Sequence, residues 1–376
     1  MIGLGCMRLS TDASRDDARS LAVLRVALDE GITLFDTADA YALDDLDIGH
    51  NEKLLARALA EELRAHVGTS RVGTDGRAHV GTSLVATDGR AHVGTSLVAT
   101  EGRAHGGPPV VVTKGRAHGG TPVVVTKGGL VRPDGAWVPK GNARHLGLAA
   151  RSSRERLASR DATGAEGASG ATSGNESAAP IDLYLLHVVD PRVPLATSVR
   201  ALAKLRDDGI VRAIGLSNVT QHQLEQALAL TQIEAIEVEL GPHKLDAFHS
   251  GLVDFCRQRD IRVLAHRPLG GPNGVKRLAR DKRLAQLCEN ANWSDRPSDA
   301  PEHSPDAEHS ASASVQWPTI HELVLAWLAA KDVVPIPGAT RVETVRSIAR
   351  ANRLQLSEEL VRELDAHLLD EPSTTR

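Results

Sequence analysis

Four ionisable side chains that follow apolar runs of the sequence have the types needed to transfer a proton. They are Asp36, Tyr41, Lys127 and His187. A phenol with a pKa near 10 is a poor acid at neutral pH, but a nearby ammonium group favours the phenolate and lowers that pKa. We therefore predict that Tyr41 donates a proton, that Lys127 lowers its pKa, and that Asp36 holds Lys127 in place. His187 would hydrogen-bond a substrate carbonyl oxygen and fix its direction.

The elements that must position these residues are short strands separated by helices. Apolar, β-branched runs alternate with helical patterns, which is typical of βαβ units and a parallel sheet. The eight predicted strands are Ile2 to Cys6, Thr33 to Asp36, Val123 to Lys127, Asp182 to His187, Ala213 to Ser217, Ala235 to Glu239, Arg262 to His266 and Val333 to Ile336. Eight strand-helix pairs predict an α/β fold, a (β/α)8 TIM barrel, in which the carboxyl ends of the strands meet at one mouth.

Each candidate residue, taken alone, also has a purely structural interpretation. Asp36 is suited to cap the turn after its strand, and Tyr41 to pack in the core. His187 ends an apolar strand, where a hydrogen-bonded core histidine is common. Ser217 and Asn218, at the end of the next strand, are good helix N-cap residues. Their arrangement at successive strand ends is what favours a functional interpretation.

Three stretches interrupt the alternation of strands and helices. The tripeptide RAH recurs five times with a period of 13 residues, beginning at Arg64, Arg77, Arg90, Arg103 and Arg116. Two further stretches are rich in small or polar residues and lack the apolar content needed to offset ordering entropy. We predict one barrel domain over residues 1–376 with insertions at 64–115, 159–180 and 290–316. The repeats are interpreted as a duplication without a function of its own, or as an extra β-layer or partner site.

Composition favours a small-molecule partner over nucleic acid or a membrane. The chain has 376 residues, a formal charge of -4 and 24% charged residues, and no apolar run approaches a membrane span. The first residues lack a basic segment followed by a long apolar core, so a cytoplasmic location is expected. Three scattered cysteines, Cys6, Cys256 and Cys288, are too few for a disulfide framework or a zinc cluster and are expected to be buried thiols. No metal site is predicted, and the oligomeric state is open.

Eight segments of the chain resemble the aldo-keto reductase superfamily. They read GLGCMRLS, GITLFDTADAY, GHNEKLLARAL, VVVTKGGL, IDLYLLH, GIVRAIGLSNV, VLAHRPLGG and VVPIPGATR, in the order of that family. The resemblance implies a (β/α)8 barrel that binds NADPH without a Rossmann fold and transfers hydride to an aldehyde or ketone. Asp36, Tyr41, Lys127 and His187 would be its catalytic residues.

The resemblance also implies a set of cofactor-binding residues. Ser217 and Asn218 match the pair that binds the nicotinamide carboxamide. The remaining residues implied to contact the cofactor are Glu237, His266, Arg267, Pro268, Leu269, Ile336, Gly338, Ala339, Thr340 and Arg341. The last five belong to the segment that binds the adenosine phosphate in that family.

At three cofactor positions the chain departs from the family. Glu237 stands where the family usually has glutamine, and a carboxylate cannot donate a hydrogen bond unless it is protonated. His266 replaces a tyrosine that stacks on the nicotinamide ring. Gly338 replaces a lysine used for the 2′-phosphate, which Arg341 or Arg346 could bind instead. NADPH is therefore the expected cofactor, with NADH possible.

Two questions stay open at this point. The repeat places lysines at equivalent positions of adjacent copies, Lys114 and Lys127, and Lys127 is preferred because Gly128 and Gly129 follow it as in the family. The second question is activity itself. The alternative to a reductase is a non-catalytic barrel, derived from a reductase, that binds a nucleotide or a protein partner.

Overall fold

Eight parallel strands form a barrel in the part of the chain that the computed structural model describes, residues 1–69, 122–158, 178–291 and 318–369. In barrel order they are β1 (Leu4–Gly5), β2 (Leu34–Asp36), β3 (Val123–Gly128), β6 (Ile181–Leu186), β7 (Val211–Ser217), β8 (Ala235–Glu239), β9 (Arg262–His266) and β10 (Val333–Ile336). The first and last strands meet because Gly3 N donates to Pro335 O at 2.9 Å and Gly5 N to Pro337 O at 3.0 Å. The predicted (β/α)8 fold is confirmed, with a first strand shorter than expected.

Helices connect the strands, and a short hairpin follows β3. The hairpin strands are β4 (Leu130–Val131) and β5 (Val138–Pro139). The helices are α1 (Asp17–Asp29), α2 (His50–Thr69), α3 (Ala143–Ala158), α4 (Leu195–Asp207), α5 (Gln221–Leu228), α6 (Asp246–His249), α7 (Leu252–Arg257), α8 (Gly271–Leu278), α9 (Lys282–Asn290), α10 (Ile320–Ala330), α11 (Val342–Arg353) and α12 (Glu358–Leu368). Several begin with a side-chain cap, such as Thr220 before α5 and Thr319 before α10, each of which forms a capping box.

Strand pairing crosses each of the three predicted insertions. Leu34 of β2 pairs with Val123 of β3, Val125 of β3 with Leu183 of β6, and Val263 of β9 with Val333 of β10. Most of the insertions at 64–115, 159–180 and 290–316 lies outside the described residues, although α2 continues into the first repeat copy. The barrel is therefore continuous across all three interruptions.

Two buried clusters make up the core of the described part of the chain. The larger one packs the helices against the outer faces of the strands, with Phe35, Tyr184 and Trp327 among its largest members. The smaller one fills the barrel itself and consists of Leu34, Val125, Leu183, Leu185, Ala213, Ala235, Leu264, Val334 and Ile336. This inner cluster is a packed layer of side chains, as expected for a barrel of eight strands.

The alternation of side chains along each strand places the candidate residues above this inner layer. Successive side chains point to opposite faces of a strand, so the residue two positions after an inward-facing one also points inward. The inward positions at the carboxyl ends are Asp36 after Leu34, Lys127 after Val125, His187 after Leu185, Glu237 after Ala235 and His266 after Leu264. The period of two thus brings six separate segments of chain, Ser217 included, to one mouth.

Two further properties of the described residues bear on the predictions from composition. None of their helices is long and apolar enough to cross a membrane. Cys6, Cys256 and Cys288 are buried, as predicted.

Gly215 is expected to be required for close packing of β7 against β8. A Cβ at Gly215 would lie 2.3 Å from the Ala235 carbonyl oxygen and 2.5 Å from Leu185 Cδ2. Gly215→Ala should therefore lower the free energy of unfolding by about 1–3 kcal/mol through overpacking. Gly147→Ala in α3 is the matched control, because nothing lies within 4 Å of its added Cβ. It should raise stability by about 0.5–1 kcal/mol. Urea unfolding measures both, and equal stabilities for the two variants would contradict the packing argument.

Candidate active site

The centre of the site is the buried ammonium group of Lys127. The Lys127 side chain is 0% exposed and forms an ion pair with Asp36 Oδ1. Its Nζ also donates to the Thr37 carbonyl oxygen at 3.1 Å and to Tyr41 Oη at 3.2 Å. Glu237 Oε2 lies 3.1 Å from the same Nζ, but without the angles of a hydrogen bond, so this contact is electrostatic. One cation therefore contacts two carboxyl groups and a phenol.

The loop after β2 is held against β3, and this places the phenol of Tyr41. Thr37 N donates to Val125 O at 2.8 Å, and Asp39 N donates to Lys127 O at 3.2 Å. The Thr37 hydroxyl bonds Asn51 Oδ1 at 2.6 Å, which fixes the loop to α2. The sequence between β2 and α2 thus continues the barrel pairing for a few residues before the chain turns away.

The pKa of Tyr41 is shifted in the direction opposite to the prediction. Burial raises it above its ordinary value, Lys127 lowers it, and the carboxyl groups of Asp36 and Glu237 raise it further. Lys127 acts in the predicted direction, but burial and two carboxyl groups outweigh one ammonium group. The phenol therefore keeps its proton throughout the physiological range of pH.

The surroundings of Glu237 favour its neutral, protonated form. It is 2% exposed. Burial and the neighbouring Asp36 raise its pKa to about 8, while Lys127 acts in the opposite direction. Both carboxyl groups lie beside the same ammonium group, and a proton on one of them relieves their mutual repulsion. In the protonated form that a raised pKa favours, Glu237 can donate a hydrogen bond.

His187 is neutral and lies beside Tyr41. Burial, Lys127 and His266 together lower the pKa of His187 well below its ordinary value. Its ring lies edge-on to the Tyr41 ring, with centroids 5.6 Å apart. Nδ1 is buried and has no hydrogen-bond partner among the described residues, so the alternative of a fully hydrogen-bonded core histidine does not hold.

Ser217, Asn218 and His266 form a hydrogen-bonded row at the mouth. The Asn218 side-chain amide donates to His187 O at 3.1 Å and to Ser217 Oγ at 3.0 Å. His266 Nε2 lies 3.1 Å from Asn218 Oδ1, and because burial lowers the pKa of His266 to about 4, a neutral ring donates this bond. The following helix α5 is capped by Thr220, so the interpretation of Ser217 and Asn218 as helix caps is wrong.

The predicted phosphate-binding segment leads into α11. Ile336 and Ala339 are buried, Thr340 is half-buried, and Gly338 and Arg341 are exposed. Arg341 is the N-cap residue of α11 and makes no side-chain capping bond. The first-turn amides of this helix are thus not capped by a side chain, although Glu343 adds a negative charge there.

A second helix start without a side-chain cap follows β9. Gly270 precedes α8 in the left-handed region, with φ 71°, and provides no capping side chain. Of the residues before it, Arg267 is exposed and lies 3.3 Å from Glu239, Pro268 is buried, and Leu269 is half-buried. The amides of α8 and the guanidinium of Arg267 lie in the same turn of the chain.

Trp137 belongs to the site and was not predicted. Its ring centroid lies 6.3 Å from those of both Tyr41 and His187, and 44% of the residue is exposed. The Arg132 guanidinium stacks over the Trp137 ring, 3.7 Å from its centroid. The available signal was a rare tryptophan, one of four in the chain, soon after Lys127 in the β4–β5 hairpin. Lys114, the alternative to Lys127, lies outside the described residues.

Comparison with known proteins finds similarity to one family. The model of the aldo/keto reductase family matches residues 1–84 and 176–369. An aldo-keto reductase of Gibberella moniliformis is 28% identical over 191 residues, which cover 49% of this chain and 57% of that protein. The NADP(+) aldo-keto reductase yakc of Schizosaccharomyces pombe is 29% identical over 196 residues, which cover 49% and 56%. The chain thus spans about half the length of the curated relatives it matches.

A solved structure has the same fold. The aldo-keto reductase of Klebsiella pneumoniae in complex with NADP and acetate superposes with a TM-score of 0.60. The two sequences are 20% identical, and the alignment covers 100% of this chain and 93% of that one. At this level of identity the likeness establishes the barrel fold alone.

Removal of the Lys127 ammonium is expected to destabilise the protein more than removal of an exposed one. Lys127→Met leaves the buried charge of Asp36 unpaired and should cost about 3–5 kcal/mol of unfolding free energy. The double variant Lys127→Met/Asp36→Asn should recover part of this loss, since no buried charge remains. The control is Lys204→Met, whose partner Asp208 lies 2.9 Å away on the surface, and its cost should stay below about 1 kcal/mol. Urea unfolding of the three variants and the wild type measures these costs. A double variant less stable than Lys127→Met would contradict the argument.

Proposed function

Because the chain belongs to the aldo/keto reductase family, we propose that it reduces an aldehyde or ketone to an alcohol with NADPH. The observation that carries this proposal is the hydrogen bond between the buried Lys127 ammonium and Tyr41 Oη, 3.2 Å apart at the barrel mouth. Such a pair supplies both a proton and a positive charge to stabilise the anion left behind. Tyr41 is the proposed general acid, and a small carbonyl compound is the proposed substrate.

The cofactor would supply a hydride to the carbonyl carbon. The protein's own residues account for the rest of the chemistry. As negative charge develops on the carbonyl oxygen, that oxygen becomes a stronger base than a phenolate and takes the proton from Tyr41 Oη. The raised pKa of Tyr41 keeps this proton in place until then. The Lys127 ammonium stabilises the phenolate that remains, and its ion pair with Asp36 fixes its position.

His187 would orient the substrate rather than donate a proton. A neutral imidazole has one donor and one acceptor nitrogen. Held neutral by burial and by Lys127, it can donate one hydrogen bond to the carbonyl oxygen without competing with Tyr41 as an acid. The exposed ring of Trp137, edge-on to both Tyr41 and His187, would form an apolar wall for the substrate.

The residues at the mouth fit the chemical groups of a dinucleotide. The first-turn amides of α8 and α11, which no side chain caps, suit phosphate groups, and the exposed Arg267 and Arg341 add positive charge beside them. The Ser217 hydroxyl accepts a bond from Asn218 and keeps its own hydrogen to donate to a carboxamide. His266 offers a neutral ring for stacking. We therefore retain NADPH as the proposed cofactor.

We also propose that the whole chain is one barrel domain interrupted by insertions. Support comes from the pairing of β2 with β3, β3 with β6, and β9 with β10, since each pair joins strands on opposite sides of an interruption. A chain that formed separate domains at these points would not share one sheet.

Tyr41→Phe is expected to abolish most of the activity. It removes the proton donor but keeps the ring that packs against Trp137 and His187, so reduction of a panel of aldehydes should slow by about 10²–10⁴-fold. Binding of NADPH, followed by fluorescence, should be unchanged. The other tyrosine, Tyr184, is the matched control: its hydroxyl is buried away from the site and has no hydrogen-bond partner among the described residues. Tyr184→Phe should stay active.

Two outcomes would count against the proposal. An unchanged rate in Tyr41→Phe would reject Tyr41 as the acid. Binding of NADPH by the wild-type protein without turnover of any aldehyde or ketone would favour the non-catalytic barrel instead.

Arg341 is expected to select NADPH over NADH. Arg346 lies 3.8 Å from Glu30, whereas Arg341 has no ion-pair partner among the described residues. Loss of one charge-assisted hydrogen bond, worth about 1.5–3 kcal/mol, should weaken NADPH binding in Arg341→Ala by about 10–100-fold. NADH binding should change little, because NADH lacks the 2′-phosphate. Titration of both nucleotides against Arg341→Ala and Arg346→Ala tests this, and a larger loss in Arg346→Ala would assign the phosphate to Arg346.

A further inference from the structure

Lys127 is shared by two carboxyl groups that approach it from different parts of the barrel. Asp36 reaches it from the end of β2 and forms the ion pair. Glu237 reaches it from β8, which is three strands away from β3 in the sheet, and its Oε2 lies 3.1 Å from Nζ. The three side chains are 0%, 4% and 3% exposed, in the order Lys127, Asp36, Glu237. Water therefore does not screen these charges.

The charges of this cluster balance only when one carboxyl group is protonated. One ammonium and one carboxylate are neutral together, whereas a second carboxylate would leave a net negative charge in a dry interior, which is costly. Glu237 Oε2, which is buried and has no hydrogen-bond partner among the described residues, is a place for the extra proton. Asp36, in the closer contact with Lys127, is the carboxylate of the pair, and Glu237 is the acid.

We propose that Glu237 is a positioning residue of the reductase: as a neutral acid it leaves the Lys127 ammonium to Tyr41, and as a carboxylate it competes for that ammonium and slows the reaction. This inference rests on the proposed function of Tyr41. Glu237 is not proposed to act directly on the substrate or on the phenol. It acts through Lys127, whose charge it shares.

Apart from Asp36, whose own pKa burial raises, the titratable groups around Glu237 do not change charge in the same range of pH. Lys127 and Tyr41 belong to β3 and to the loop after β2, and His266 ends β9. Cys6 and His187 interact electrostatically with Lys127. Burial raises the pKa of Tyr41 and Cys6, and the two carboxyl groups raise that of Lys127 against the effect of burial. The pKa values of His187 and His266 are lowered below neutral, chiefly by burial.

Glu239, on the same strand as Glu237, does not belong to this cluster. It is paired with Arg267 at 3.3 Å. A loss of activity with an apparent pKa near 8 would thus report the proton that Glu237 shares with Asp36.

The test compares pH profiles of kcat/KM for NADPH-dependent aldehyde reduction between pH 6 and 10. The wild-type rate should fall about tenfold per pH unit above the ionisation of Glu237. Glu237→Gln keeps the shape of the side chain but cannot ionise, so its profile should stay flat to higher pH. Each enzyme is compared with its own rate at pH 6. The ratio of kcat/KM at pH 9.5 to kcat/KM at pH 6 should be at least about tenfold larger in the variant than in the wild type.

The matched control is Glu234→Gln. Glu234 lies just before β8, at the end of the barrel opposite the mouth, and is half-buried with a raised pKa of its own. Its variant should keep the wild-type profile. An alkaline fall at the same pH in Glu237→Gln and in the wild type would overturn the inference, whereas inactivity of Tyr41→Phe would still support the proposed acid.

A measurement without turnover tests the proton itself. In the difference spectrum between the wild type and Glu237→Gln, which removes the contribution of other buried carboxyl groups such as Asp39, the infrared band of a protonated carboxyl group should be present at pH 6 and disappear as the pH rises through about 8. Glu237→Met serves as the second neutral variant if the glutamine variant does not fold. Absence of the band at pH 6 would overturn the inference even if the enzyme is active. Its presence in a protein without reductase activity would instead locate the failure in the proposed function.

Discussion

The burial of one ammonium group inside the barrel is the constraint on which the rest of the site depends. A lysine with 0% exposure loses its hydration, and only close anionic or polar partners can compensate for that loss. Here Asp36, Glu237, Tyr41 and a backbone carbonyl surround it. The groups that stabilise the buried Lys127 ammonium also determine its chemical role. Each of them contacts the one group that can stabilise a phenolate, so no member of the cluster can change its charge without affecting Tyr41.

The barrel makes this cluster possible because it converges strands that are distant in sequence. Asp36 and Lys127 come from neighbouring strands, but Glu237 comes from β8 and reaches the same atom across the inner layer. That layer of aliphatic side chains closes the floor below the polar residues and excludes water from beneath them. The low effective dielectric that results is what raises the pKa of both Tyr41 and Glu237.

The sequence predicted the strands well, because apolar runs that alternate with helical patterns are a short-range signal. The convergence of strand ends in a (β/α)8 barrel was then enough to expect Asp36, Lys127 and His187 at one mouth. Depth of burial was not readable in this way. The direction of the Tyr41 pKa shift was therefore wrong, since it depends on burial and on a second carboxyl group contributed by a distant strand. The contact between Lys127 and Glu237 and the place of Trp137 beside Tyr41 were missed for the same reason: both join segments that share no local signal.

The first two insertions are attached at the end of the barrel opposite the site. The first falls between α2 and β3, and the second between α3 and β6. In both cases the chain returns from a helix to the start of a strand, as shown by the bond from Val123 N to Thr33 O at the amino end of β3. The amino ends of the strands lie opposite the mouth, so the points of attachment are separated from Lys127 and Tyr41 by the packed inner layer. Since the entropy of closing a loop grows only slowly with its length, a long insertion at this end costs the barrel little and leaves the register of β2, β3 and β6 unchanged.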